Sequence, residues 1–206
     1  MSAADATVSA EVMTKWDWLN RQFAAASTDE DFPTLITLTE DYTAEATDSY
    51  LTIPSGRYVT LDLNGFTLDR NLTEAKTDGY VIRAIGNLTV RDSDPNAVHS
   101  GTAITGGIIT RGNSSDKGGG LYIYGGSNAF PSVTLEGGTI IGNGAGHGGG
   151  VYVENGRFYM TGGTISCNVA RTYGGGVYVN TNSFFDMTGG TISGNVAKSD
   201  GGGVYA

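Results

Sequence analysis

Apolar residues in the C-terminal half of the chain recur in short bursts of period two, each opened by three glycines. The bursts read Gly118-Gly-Gly-Leu-Tyr-Ile, Gly148-Gly-Gly-Val-Tyr-Val, Gly174-Gly-Gly-Val-Tyr-Val and Gly201-Gly-Gly-Val-Tyr-Ala. Their starts at 118, 148, 174 and 201 lie 26 to 30 residues apart. Each complete copy continues with a second apolar alternation (Val133/Leu135, Phe158/Met160, Phe185/Met187). A Gly-Gly pair, a third short strand (Thr-Ile-Ile or Thr-Ile-Ser) and a closing Asn follow. A fixed period in this range marks a repeat architecture. Alternation puts Val151 and Val153 on the inner face and Tyr152 outside. A unit of three short strands cannot bury its own apolar face, but stacking at about 4.8 Å per layer does so. The pattern therefore predicts an all-β, right-handed parallel β-helix of about five to six rungs. The handedness follows the rule for parallel crossovers.

The N-terminal half carries the same logic with weaker punctuation. Leu35-Ile-Thr-Leu reads as the first strand, and Glu40 to Asp48 as an acidic loop. Tyr50-Leu-Thr-Ile-Pro, Tyr58-Val-Thr-Leu-Asp-Leu and Phe66-Thr-Leu-Asp make a full rung. Ile82-Arg-Ala and Leu88-Thr-Val-Arg open the next, and Ile108-Ile-Thr-Arg-Gly-Asn113 ends it. Between its second and third strands an insertion of about 15 residues, Asp92 to Thr105, carries Asp92, Asp94 and His99. Long excursions from a regular scaffold often hold function, which makes these three candidate site residues. The residues closing the rungs, Asn71, Asn113, Asn143, Asn168 and Asn195, are expected to stack as one amide ladder at a single corner.

Residues 7–26 break the strand pattern. Val8, Val12, Trp16, Leu19 and Phe23 recur at helical spacing, with Lys15, Asp17, Asn20 and Arg21 elsewhere on the wheel. An amphipathic helix here would cover the open N-terminal edge of the β-helix. The expected organisation is a segment 1–33 bearing the capping helix and a β-helix over 34–206. The last rung stops before its second strand, so the β-helix is expected to be truncated there and to self-associate end to end through its C-terminal rungs.

Charge narrows the partners. Residues 1–100 carry 16 acidic against 7 basic side chains, and residues 101–206 carry 5 of each. An acidic chain without a basic patch argues against nucleic acid and anionic membranes. No apolar run reaches about 18 residues, so no membrane-inserted segment is expected. The single Cys167, two residues after inward Ile165, reads as a buried small hydrophobe. Met1-Ser-Ala-Ala-Asp5 is no leader; an extracellular or cell-surface domain separated from its signal peptide and anchor suits this fold better than a cytosolic one.

Catalytic chemistry lacks its partners in this sequence. Gly146-His147-Gly148 resembles the Gly-His-Gly element of polygalacturonases. In the repeat, however, His147 matches Lys117, Tyr173 and Asp200, and the paired aspartates that glycoside hydrolysis needs are missing. Asp92 and Asp94 beside Arg91 are the nearest approach to a lyase calcium site and base, and two carboxylates make a thin site. No catalytic residue, metal or cofactor is expected. Binding is the stronger reading. Tyr122, Tyr152, Tyr178 and Tyr205 form an outward column, flanked by Arg171, Tyr173 and Lys198 in the adjacent corner. Such a column serves stability through ring stacking, or offers a flat strip for sugar rings or a protein partner.

The alternation of Gly-Gly-Gly-Val-Tyr with Ile-x-x-Asn is similar to the Gly-Gly-Ala-Ile and Phe-x-x-Asn repeats of chlamydial polymorphic membrane proteins. It looks still more like the β-helix repeats of bacterial cell-surface, adhesin-like proteins of the pectin-lyase-like fold. There a rung resembling Leu51-Thr-Ile-Pro and Val59-Thr-Leu-Asp-Leu-Asn-Gly precedes the glycine-rich repeats. The resemblance covers about residues 34–206. It implies a non-catalytic surface domain contacting a glycan or a host or partner protein. The alternatives are a polysaccharide lyase or glycoside hydrolase of the same fold, and a structural spacer.

Overall fold

The computed structural model describes residues 13–126 and 129–206. Among these, the chain winds as a right-handed parallel β-helix of six turns. Each turn contributes one strand to each of three parallel sheets. The first turn is Thr34–Thr37, Tyr42–Thr43 and Leu51–Ile53, and the second is Tyr58–Asp62, Thr67–Asp69 and Ile82–Ala84. Asn87–Arg91, Ile108–Thr110 and Leu121–Tyr124 make the third. The fourth is Ser132–Leu135, Thr139–Ile141 and Val151–Glu154, and the fifth Arg157–Met160, Thr164–Ser166 and Val177–Val179. Phe184–Met187, Thr191–Ser193 and Val204–Tyr205 complete the sixth. The strand Tyr42–Thr43 corrects the loop expected over Glu40–Asp48: Tyr42 is buried in register with Leu68. A small fourth sheet, Gly144–Ala145, Val169–Ala170 and Val196–Ala197, follows the closing Asn of the last three turns.

Register fixes the core. Val59, Leu88, Val133, Phe158 and Phe185 stack in one column, and Leu68, Ile109, Ile140, Ile165 and Ile192 in another. Leu51, Ile82, Leu121, Val151, Val177 and Val204 form the third-sheet column. Between turns the triple glycines lie backbone on backbone, with Gly120 N donating to Gly150 O at 3.0 Å and Gly150 N to Gly176 O at 3.1 Å. A Cβ on Gly150 would stand 2.7 Å from Gly176 O and 2.9 Å from Ile165 Cγ2, which explains the glycine there.

The amide ladder contains three asparagines. Asn143 N and Nδ2 both donate to Asn168 Oδ1, and Asn168 N and Nδ2 both donate to Asn195 Oδ1. Asn71 and Asn113 stand outside it, which corrects the five-residue stack. Ile109 is in register with Ile140, so Gly112, three residues on, takes the ladder position and its N–H donates to Asn143 Oδ1. Asn113 lies one residue further on and accepts from Arg171 Nη2. Asn71 adopts φ +57° and donates Nδ2 to Ala44 O.

Cys167 corrects a third expectation, because it is exposed. Its φ of +52° matches the left-handed corner of Gly142 (+66°) and Gly194 (+62°). That reversal ends the alternation begun at Ile165 and turns the thiol outward.

The helix spans Lys15–Ala24, shorter than the 7–26 expected. Thr14 is extended and caps it by accepting from Asp17 N. Val8 and Val12 lie outside the described residues. Trp16, Leu19 and Phe23 are buried in the continuous core. Trp16 Nε1 donates to Ser49 O at 2.7 Å, and Asn20 Oδ1 accepts from Thr52 N at 2.9 Å. The helix thus covers the first strand of the third sheet and answers an amide on its open edge.

Candidate functional site

The third sheet carries the outward column. Register aligns Thr52, Arg83, Tyr122, Tyr152, Tyr178 and Tyr205, one per turn. The four expected tyrosines are all in this line. Tyr152 and Tyr178 stack at 4.8 Å and 9°, and Tyr178 and Tyr205 at 5.2 Å and 10°. Each of these rings turns a face to its neighbour, so this half of the column does not form the flat strip expected for sugar rings. Tyr122 and Tyr152 are outside the β-helix core yet only 8% and 5% exposed. Here the stack stabilises the domain, in the manner of aromatic pairs contributing about 0.5–1.5 kcal/mol beyond burial.

Towards the N-terminal turns the geometry opens. Tyr122 meets Tyr152 edge-on (5.8 Å, 75°), and its hydroxyl donates to Glu154 Oε2 at 2.5 Å. Lys117 Nζ holds both oxygens of Glu154, at 3.0 and 2.9 Å. Tyr80 and Tyr50 extend the aromatic line, with ring centroids at 5.3 Å (Tyr80–Tyr122) and 4.4 Å (Tyr50–Tyr80). Tyr80 donates its hydroxyl to Asp78 Oδ1 at 3.0 Å. The Arg83 guanidinium lies over Tyr124 at 4.7 Å and Tyr122 at 5.7 Å. Arg83, Tyr80, Tyr122, Tyr124, Lys117 and Glu154 border a cleft of about 360 Å³ that also reaches Asp78 and Asp116.

Burial, reinforced by Glu154, pushes the phenols of Tyr122 and Tyr152 well above their ordinary value. Burial and its bonds to Tyr50 and Asp78 do the same for Tyr80. All three are therefore neutral hydroxyls throughout the physiological range. Burial opposes the charge on Arg83, and the surrounding phenols, Tyr50 first, outweigh it and hold the cation.

At the other end, Tyr173 joins the column, 4.7 Å from Tyr205, and stacks on His147 at 5.7 Å and 19°. His147 also packs on Tyr178, and its buried Nδ1 has no hydrogen-bond partner. Arg171 does not flank the tyrosines. Its Nη1 and Nη2 donate to Ser114 O and Asn113 Oδ1, both at 2.7 Å, at the amide-ladder corner.

The insertion is folded onto the scaffold. Asp92 spends both oxygens on backbone amides, Gly65 N at 2.8 Å and Gly107 N at 2.7 Å. His99 Nε2 lies 2.6 Å from Gly106 O, and Val98 bridges Thr105. Asp94 accepts Ala97 N through its carbonyl at 3.2 Å, and Arg91 pairs with Asp62 instead of the insertion. Among the described residues, no three His, Cys, Asp or Glu side chains stand together as metal ligands.

Sequence reasoning missed Arg83, Tyr124, Tyr50 and Tyr80. The signal was weak but present: Leu51-Thr-Ile, Ile82-Arg-Ala and Leu121-Tyr-Ile are equivalent triplets, and the middle residue of each must point outward. No protein-family model, curated protein or solved structure matches this chain.

Proposed function

We propose that this β-helix is a non-catalytic recognition domain that contacts a glycan through the third-sheet cleft, as part of an extracellular, adhesin-like protein. One observation carries the reading: a cleft on the third sheet joins the partly exposed ring of Tyr124 to carboxylates and a guanidinium. Tyrosine rings pack against the apolar faces of sugars, and carboxylates accept pairs of sugar hydroxyls. The groups that would serve catalysis elsewhere have structural work, Asp92 and His99 on backbone atoms and His147 in the aromatic stack. The repeat resemblance to bacterial surface proteins supports the same setting.

The test is binding of a panel of neutral and acidic oligosaccharides by the whole domain and by Tyr124→Ala. Saturable binding weakened at least tenfold in Tyr124→Ala supports the reading. Binding untouched by that change, or release of reducing ends or unsaturated products from any polysaccharide in the panel, overturns it.

A further inference from the structure

We infer that the cleft beside Arg83 receives a single carboxylate carried by a sugar, with the arginine as its receptor; this rests on the glycan reading above. Arg83 is the cation of the cleft without an acidic partner; the Tyr50 phenol is its one side-chain hydrogen-bond partner among the described residues. The ion pairs among the described residues use Lys15, Arg91, Arg111 and Lys117, and Arg83 is in none of them. Its Nε is buried and has no hydrogen-bond partner. A buried donor left unpaired is costly and calls for a partner, an ordered water, an ion or a bound group reached by a small shift of the side chain. Arg70, the other arginine with unpartnered nitrogens, is walled in and donates Nη2 to Asp48 O. Arg83 instead borders the open cleft.

The surroundings prepare this cation for a planar anion. Tyr124 and Tyr122 lie under the guanidinium, which is how aromatic faces hold an arginine without consuming its N–H edge. The nearby acids have other partners: Glu154 is held by Lys117 and Tyr122, and Asp78 accepts from Tyr80. The N–H fork of arginine matches a carboxylate in two parallel hydrogen bonds.

Charge then limits what carries the anion. The cleft also contains Asp78 and Asp116, and the whole chain has a formal net charge of −9. A polyanion would be repelled at every carboxylate but the one on Arg83. The fit is one acidic sugar in an otherwise neutral chain, whose hydroxyls meet Asp78 and Asp116. A sugar suits the site better than a peptide terminus, because these acceptors and the Tyr124 ring match a hydroxylated ring.

Methyl β-glucuronide and methyl β-glucoside differ only at C6, carboxylate against hydroxymethyl, and are the probes. Titration of the whole domain, followed by amide NMR shifts, is expected to give at least tenfold tighter binding of the glucuronide. Shifts should centre on Ile82–Ala84 and Leu121–Tyr124, and added salt should weaken the binding. Arg83→Gln should abolish the preference, and Arg83→Lys should retain part of it; unfolding midpoints verify that both variants fold. Equal binding of the two probes, with shifts in the same strands, would overturn the carboxylate inference and leave the glycan face standing. A preference that survives Arg83→Gln would also overturn the inference. If neither these sugars nor the wider panel binds, both readings fall. Arg83-dependent binding of acetyl-Gly-Gly in place of the glucuronide would replace the sugar with a peptide terminus.

Discussion

Asn168 offers one side-chain oxygen to two donors of Asn143 in the preceding turn, the backbone N–H and Nδ2, each at 3.0 Å. Its own Nδ2 bonds Ile140 O at 2.9 Å and Asn195 Oδ1 at 3.0 Å. The side chain is completely buried, so none of these groups has water as an alternative partner. Asn168→Ala therefore strands polar atoms in two adjacent turns. With unpaired buried groups costing about 1–3 kcal/mol each, roughly 3 kcal/mol of stability should be lost. Urea unfolding should show a lower midpoint at an unchanged slope. A loss under 1 kcal/mol would mean that the ladder is dispensable.

The neighbouring corner predicts a gain. Cys167 holds a left-handed conformation that costs an L-residue about 1–2 kcal/mol, where the two neighbouring turns use Gly142 and Gly194. Cys167→Gly relieves that strain against some extra freedom of the unfolded chain, for a net gain of about 1 kcal/mol. Cys167→Val, β-branched at the same φ, should lose stability. Denaturation of both variants in reducing buffer gives the order, and a less stable glycine variant would show that the thiol has a packing role.

Much of this architecture was legible because stacking repeats a pattern. The triple glycines, the inward Val-x-Val pairs and the Ile column recur at fixed spacing, and each has one physical task. Corners were harder to read. Period two carried forward from Ile165 places Cys167 inside, but a single left-handed residue ends the alternation. Asn113 closes its rung as the other asparagines do, but the backbone pairs Ile109 with Ile140 and leaves it one residue past the ladder position. The binding face was half visible. The tyrosine column follows from register, whereas ring orientation depends on side-chain bonds such as Tyr122 to Glu154. Arg83 sits in a turn without the glycine motif, so no repeated word drew attention to it.

Asp62 sets an acid limit. It is buried, and accepts from Asn64 N and Ser93 N through Oδ1, while Oδ2 takes Arg91 Nε at 3.1 Å and Nη2 at 3.0 Å. Burial works against its charge, but these bonds outweigh burial and hold the carboxyl below its ordinary value. The unfolded chain then binds the proton more readily than the native one. The stabilisation is complete above the ordinary value near 4 and is lost as pH falls through the lowered native value. Asp62→Asn should therefore be less stable than the parent at pH 7, with the gap narrowing steadily below about pH 4. A gap independent of pH would assign the effect to hydrogen bonding alone.

The helix at the N-terminal end should act locally before it acts globally. Asn20 Oδ1 is the acceptor for Thr52 N on the outermost strand of the third sheet, and Trp16 ties the same region through Ser49 O. Removing each bond tests a different part of the cover. Asn20→Ala leaves the Thr52 N–H facing the helix without its acceptor, at about 1–3 kcal/mol if water does not replace it. Trp16→Ala removes a fully buried ring and should cost about 3–5 kcal/mol. Because each turn pairs its strands only with those of its neighbours, stability in such a stack is shared unevenly along the axis. Hydrogen exchange in Asn20→Ala should accelerate at Leu51–Ile53, less at Ile82–Ala84, and hardly at Val151–Glu154. Trp16→Ala should spread the acceleration further along the sheet without inverting that order. Uniform acceleration along the third sheet in both variants would show that the six turns open as one cooperative unit, and that the helix supports the whole domain instead of guarding its first edge.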